Sequence, residues 1–120
     1  MKIEPLALAI ARTCGAFTPD SEAFQLNNPG LLRAFSDRHK DEAHQGHRRF
    51  LSWQAGFKAL CYDLTLKCAG ESRSKLLRTD PLYRLLGIWE IKQFNKTVNF
   101  LRRAIGDENI TENTPLEYFI

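Results

Sequence analysis

Apolar residues recur along this chain in separate stretches at helical spacing, and glycine or proline punctuates the gaps between them. Ile3, Leu6, Ile10 and Cys14 fall on one helical face, Ala7, Ala9 and Ala11 add helix propensity, and Pro5 is tolerable in a first turn. This spacing predicts a helix over 3–14, stopped by Gly15. The strongest signal lies between Trp53 and Cys68, where Trp53, Phe57, Leu60, Cys61, Leu64 and Cys68 share a face that should be core, with Gly70 available as a stop. A further helix is expected through Leu82, Leu85, Leu86 and Trp89, entered by Thr79-Asp80-Pro81, a capping side chain before a proline at the first helical position. The last is expected over 97–105, with Val98, Phe100, Leu101, Ala104 and Ile105, and Gly106 as its stop.

The intervening stretches predict loops and a little strand. Residues 15–30 read as a loop holding Pro19, Asp20 and Ser21 and a bend at Asn27-Asn28-Pro29-Gly30, whose glycine can take positive φ. Between Leu31 and Trp53, two brief extended pieces flank a polar connection from Asp37 to Arg48, which suits a small β-hairpin region. The ending Thr114 to Ile120 is too apolar for a free tail and is expected to dock. The pattern as a whole predicts a mainly α (α+β) fold.

Composition narrows the class. With 43% hydrophobic content over 120 residues, the chain can bury a sizeable core, and one domain spanning 1–120 is expected. Eight Phe, three Tyr and two Trp argue against disorder. A net charge of +3 means that attraction to an anionic partner must come from clustering rather than from the total. No stretch approaches the ~20 apolar residues of a membrane span, and Glu4 and Pro5 stand where a signal peptide wants basic residues. No membrane insertion is expected, and synthesis in the cytoplasm is. Three cysteines without a close CxxC pair predict reduced thiols. Nothing in the chain calls for a cofactor.

Two polar constellations sit in the hairpin region. Arg38, Lys40, Arg48 and Arg49, with Arg33 and His47 nearby and Phe35, Phe50 and Trp53 interleaved, form a basic patch that can face phosphate or an acidic protein. A charged, exposed loop is the preferred reading of it. His39, His44 and His47 beside Asp37, Asp41 and Glu42 permit a metal site on paper, but their spacing matches no zinc pattern, and no metal is expected.

A run of short motifs carries a more specific signal. Ala9-Ile10-Ala11-Arg12-Thr13-Cys14-Gly15 is followed by Asn27-Asn28-Pro29-Gly30-Leu31-Leu32-Arg33, then Phe50 to Trp53 and Gly56-Phe57-Lys58-Ala59-Leu60. Trp89, Asn95, Thr97, Phe100-Leu101 and Thr114-Pro115-Leu116 complete the series. In that order these pieces resemble phage and bacterial lysozyme-like domains of the NNPGNLR type, in the muramidase and lytic transglycosylase superfamily. The resemblance implies a lysozyme-like single domain of phage or prophage origin, with peptidoglycan or a phage or host protein as partner and the virion or periplasm as a place of action. In such domains the asparagine-proline-glycine turn borders the sugar-binding cleft, which makes Asn28 and Arg33 candidate groove residues.

The departures bear on chemistry. Leu31 replaces the usual asparagine of the turn, Glu90 to Asn95 replaces a segment often rich in proline and glutamate, and Cys14 stands where the family places its catalytic glutamate. Glycosidic cleavage needs a carboxylic acid to protonate the leaving oxygen, and general acid catalysis contributes roughly 10² to 10⁴-fold in rate. A thiol matches that role poorly in reach and acidity. Activation of Cys14 as a nucleophile by His39, His44 or His47 is disfavoured because the carboxyl end of a helix dipole opposes a thiolate. A buried small hydrophobe is the preferred reading of Cys14, and Glu22 is the carboxylate available as a substitute acid. The expected function is therefore non-catalytic binding or assembly. A divergent peptidoglycan glycosidase using another carboxylate, and a basic protein binding nucleic acid or a host complex, stand as the alternatives.

Overall fold

Alanine-rich spacing at the amino terminus forms helix α1, Ile3–Thr13, in which Leu6, Ala7, Ile10 and Ala11 are fully buried. The computed structural model describes residues 2–33 and 46–120. Helix α2, Glu22–Gln25, follows; α3 spans Trp53–Cys68, α4 Leu82–Ile88 and α5 Phe94–Ile105, and a 3₁₀ turn covers Leu116–Phe119. Isolated antiparallel bridges pair Arg33 with His47 and Pro81 with Pro115. The fold is mainly α. No helix among the described residues is long and apolar enough to cross a membrane.

The chain divides into two compact units, Ala11–Leu60 and Met1–Ile10 with Cys61–Ile120. In the larger unit Leu64, Cys68, Leu82, Leu85, Leu86, Leu101, Leu116 and Phe119 are buried. The terminal segment docks as its composition predicts: Leu82 N–H donates to Thr114 O at 2.8 Å, Leu116 N–H to Asp80 O at 2.9 Å and Glu117 N–H to Arg78 O at 2.8 Å. Gly106 ends α5 in the left-handed region at φ 81°, its N–H bonded to Arg102 O.

Several boundaries differ from expectation. Helix α2 lies within the stretch read as loop; at four residues it is too short to show a period, and it is marked by Ser21, whose hydroxyl accepts the Phe24 N–H. Helix α5 begins at Phe94 rather than 97, because its first turn is polar on the outer face. Pro81 is the residue before α4, not its first helical position, and the Asp80 carboxylate accepts Leu77 N–H at 2.8 Å instead of capping the helix. Trp89 lies just past the end of α4. Of the predicted hairpin region the described residues show the antiparallel Arg33–His47 bridge, and residues 34–45 lie outside the described residues.

In the smaller unit the asparagine-proline-glycine turn is shaped unexpectedly. Gly30 does not take positive φ; Asn27 at 53° and Leu31 at 49° do. Asparagine tolerates this region, whereas leucine is strained there by roughly 1–2 kcal/mol. Gly30 instead packs closely on α3: a Cβ there would sit 2.4 Å from a methyl of Leu60, which would have to shift. Gly56 of α3 is still more constrained, since its Cβ would lie 1.9 Å from the Asn27 carbonyl oxygen and 2.8 Å from Pro29 Cδ. Turn and helix thus approach backbone to backbone, at a distance that glycine alone allows.

Gly56→Ala is expected to destabilise the protein by about 3 kcal/mol, a drop in Tm of roughly 10 °C. Gly87→Ala, inside α4 with nothing within 4 Å of its added methyl, is expected to be neutral or stabilising by about 0.5 kcal/mol. Thermal unfolding of the two variants beside the wild type checks both, and equal melting temperatures would refute the close approach.

Candidate functional site

Of the site residues expected from sequence, Cys14, Glu22, Asn28, Arg33, Arg48 and Arg49 are described, and they belong to the Ala11–Leu60 unit. Helix α1 ends at Thr13, and Gly15, at φ 83°, turns the chain back, as its composition predicts. The Ser21 hydroxyl donates to the Gly15 carbonyl while accepting the Phe24 N–H, so one side chain ties the exit of α1 to the entry of α2. This closure sets Cys14 and Glu22 on either side of one short, pinned loop.

Cys14 is half-buried, and burial pushes its thiol up to about 11. Desolvation disfavours the thiolate, so this group is neither a competent acid nor a ready nucleophile near neutral pH. Cys61 and Cys68 are also free thiols pushed up by burial, Cys68 to about 12 although Lys67 pulls in the other direction. Cys68 is buried, in keeping with the packing role expected of it, and Cys61 is half-buried.

Glu22 has a partner that sequence reading did not join to it. Its Oε2 lies 2.8 Å from His47 Nδ1, with the imidazole 13% exposed and the carboxylate 35% exposed. The contact links residues 25 apart in sequence, and no motif spacing signals it. The contact engages Oε2 of the carboxylate.

Asn28, expected at a groove, is fully buried. Its amide donates to Leu32 O at 2.9 Å and to Arg48 O at 2.8 Å, and its carbonyl accepts Leu32 N–H at 2.9 Å. Every direction of this side chain but one is used within the protein, so its work is to hold the turn against residues 47–50. Arg48 N–H donates to Leu32 O, Phe50 N–H to Leu26 O and Asn27 Nδ2 to Phe50 O, extending the same seam. Arg33 is exposed beside it, in the bridge with His47.

The basic patch is described only in part. Arg48 stacks over the Phe50 ring at 4.5 Å, and Arg49 Nη1 donates to Gln25 O at 3.3 Å. Arg38 and Lys40 lie outside the described residues, as do His39 and His44. Among the described residues no group of three or more His, Cys, Asp and Glu side chains is arranged to hold a metal ion.

Comparison with known proteins adds nothing to this geometry. No family model, curated protein or solved structure matches the chain. The chemistry of the site therefore rests on Cys14, Glu22 and His47 as they stand.

Alkylation of Cys14 is expected to be about a hundredfold slower at pH 8 than at an unperturbed thiol, and its rate to keep rising beyond pH 10. The sign for stability follows from linkage: the fold favours the protonated thiol, so this contribution is complete below pH 9 and is lost as pH climbs toward 11. Mass-spectrometric alkylation rates across pH 7–11.5 check this, and a rate that levels off near pH 9 contradicts it.

Proposed function

We propose that this chain is a lysozyme-like domain of phage or prophage origin that binds peptidoglycan without cleaving it and acts in binding or assembly. The observation that carries the reading is Cys14 at the end of α1, at the motif position of the catalytic glutamate, with a thiol that burial holds protonated. The acid needed for glycosidic cleavage is missing there.

Two features of the turn support the lysozyme-like assignment. Residue 31 adopts φ 49°, a conformation that favours the asparagine of the family motif over the leucine present here. Gly56 and Gly30, drawn from two separate motifs of the resemblance, both make close approaches in the Ala11–Leu60 unit: Gly56 against the backbone of the turn, Gly30 against the Leu60 side chain. A glycosidase reading with Glu22 as the acid is the rival, Glu22 being the carboxylate on the same loop, in contact with His47 through Oε2.

The test is sedimentation with purified sacculi together with release of soluble glycan, for wild type, Cys14→Glu and Glu22→Gln. Wild type is expected to co-sediment without releasing glycan, and Cys14→Glu to co-sediment equally and gain turnover. Wild-type turnover that Glu22→Gln abolishes would replace this reading with the glycosidase one. Failure of the wild type to sediment would overturn the glycan assignment itself.

A further inference from the structure

The Glu22–His47 pair has cationic neighbours that glycan binding does not use. Arg33 and His47 oppose each other in an antiparallel bridge, and residues so paired have Cβ atoms about 5 Å apart on the same face. The Arg49 guanidinium reaches the short helix that carries Glu22, its Nη1 donating to Gln25 O at 3.3 Å. Arg48 is instead taken up over the Phe50 ring at 4.5 Å. The other charges described in the Ala11–Leu60 unit, Arg12, Asp20 and Lys58, are exposed, so cations outweigh the carboxylates Asp20 and Glu22. A carboxylate accepts hydrogen bonds and cannot donate one. In the 2.8 Å contact with Glu22 the neutral imidazole therefore carries its hydrogen on Nδ1 and its lone pair on Nε2. Nε2 has no hydrogen-bond partner among the described residues, and 13% of the imidazole is exposed, which leaves this lone pair to water or a ligand.

We propose that His47, oriented by Glu22 and flanked by Arg33 and Arg49, cleaves RNA by transferring the phosphodiester to the adjacent 2′-hydroxyl. The activity is independent of the peptidoglycan reading. His47 Nε2 takes the 2′-hydroxyl proton as that oxygen attacks phosphorus. The new O2′–P bond forms while the P–O5′ bond breaks, which leaves a 2′,3′-cyclic phosphate. Water protonates the departing 5′-oxygen, and the hydroxide so formed takes back the proton held by His47. Arg33 and Arg49 stabilise the charge that grows on the non-bridging oxygens, and Glu22 is a positioning residue that acts through the imidazole. The residues present select this substrate. Neither Cys14, whose thiol burial keeps protonated, nor Ser21, whose hydroxyl is donated to Gly15 O, is a ready nucleophile. A general base contributes only roughly 10² to 10⁴-fold, whereas a hydroxyl already attached to the substrate brings an effective molarity of roughly 10⁵ M or more. RNA carries that hydroxyl beside every internal phosphate, and DNA lacks it. The excess of cations on the unit attracts the phosphate backbone.

The experiment incubates the full-length protein with RNA and DNA oligonucleotides of matched sequence in the presence of a metal chelator and resolves the products by mass spectrometry. The wild type is expected to cut the RNA into fragments ending in a 2′,3′-cyclic phosphate and to leave the DNA intact. His47→Asn, whose amide can still donate to Glu22, is expected to lose cleavage by about a hundredfold or more without a change in Tm. Glu22→Gln is expected to lower kcat at constant KM, which separates positioning of the base from substrate binding. Arg33 is exposed, so its truncation spares the core. Arg33→Ala is expected to lose about a hundredfold in kcat/KM, recovered in part by Arg33→Lys. Intact RNA after incubation with the wild type, or equal cleavage by wild type and His47→Asn, would overturn the proposal and leave the peptidoglycan reading standing. Cleavage of DNA at the same rate, or activity abolished by the chelator, would overturn it as well.

Discussion

Helix α3 can pass directly against the Asn27–Pro29 turn because residue 56 has no side chain. A single methyl at that position would stand 1.9 Å from the Asn27 carbonyl oxygen, far inside any van der Waals contact. The approach is one of backbone on backbone, so it fixes the turn without the rotamer freedom that side-chain packing leaves. Asn28 then completes the constraint from the other side. Buried and bonded to Leu32 and Arg48 with both ends of its amide, it holds residues 47–50 against the turn and brings His47 to Glu22. The strained leucine at position 31 is tolerated because the turn on which it sits is so strongly determined by its neighbours.

That rigidity and the acid–base character of the same unit are separable properties. The Gly56 approach, the Asn28 amide and the Ser21 closure of the loop after α1 all hold a shape, and none of them moves a proton. At the end of α1 burial leaves a thiol pushed up to about 11, and Glu22 is in contact with an imidazole. A scaffold can be maintained for binding when its chemistry has gone, because complementarity of shape does not depend on the acidity of one group.

The sequence discloses the parts of this arrangement that have a period or a stop signal. Helix α3 is legible from Trp53 to Cys68 because its apolar face repeats over four turns, and α5 ends where Gly106 says it should. Helix α2 is not legible, since four residues carry no period, and the start of α5 is hidden by a polar first turn. The candidate site is legible residue by residue but not as a geometry. Cys14, Glu22 and His47 can each be picked out, yet the pairing of Glu22 with His47 depends on how the turn folds across 25 residues. Asn28 is named by the resemblance alone, and only the carbonyls of Leu32 and Arg48 reveal why it is buried.

The central claim is that the turn and residues 47–50 form one fixed seam. Native-state hydrogen exchange of the Leu32, Arg48 and Phe50 amides tests it most directly, because these donate to Asn28 Oδ1, Leu32 O and Leu26 O within that seam. The account predicts that all three exchange together, with protection comparable to that of the Leu60 amide in α3. Exchange of these three amides at the rate of an open peptide, while Leu60 stays protected, would contradict it.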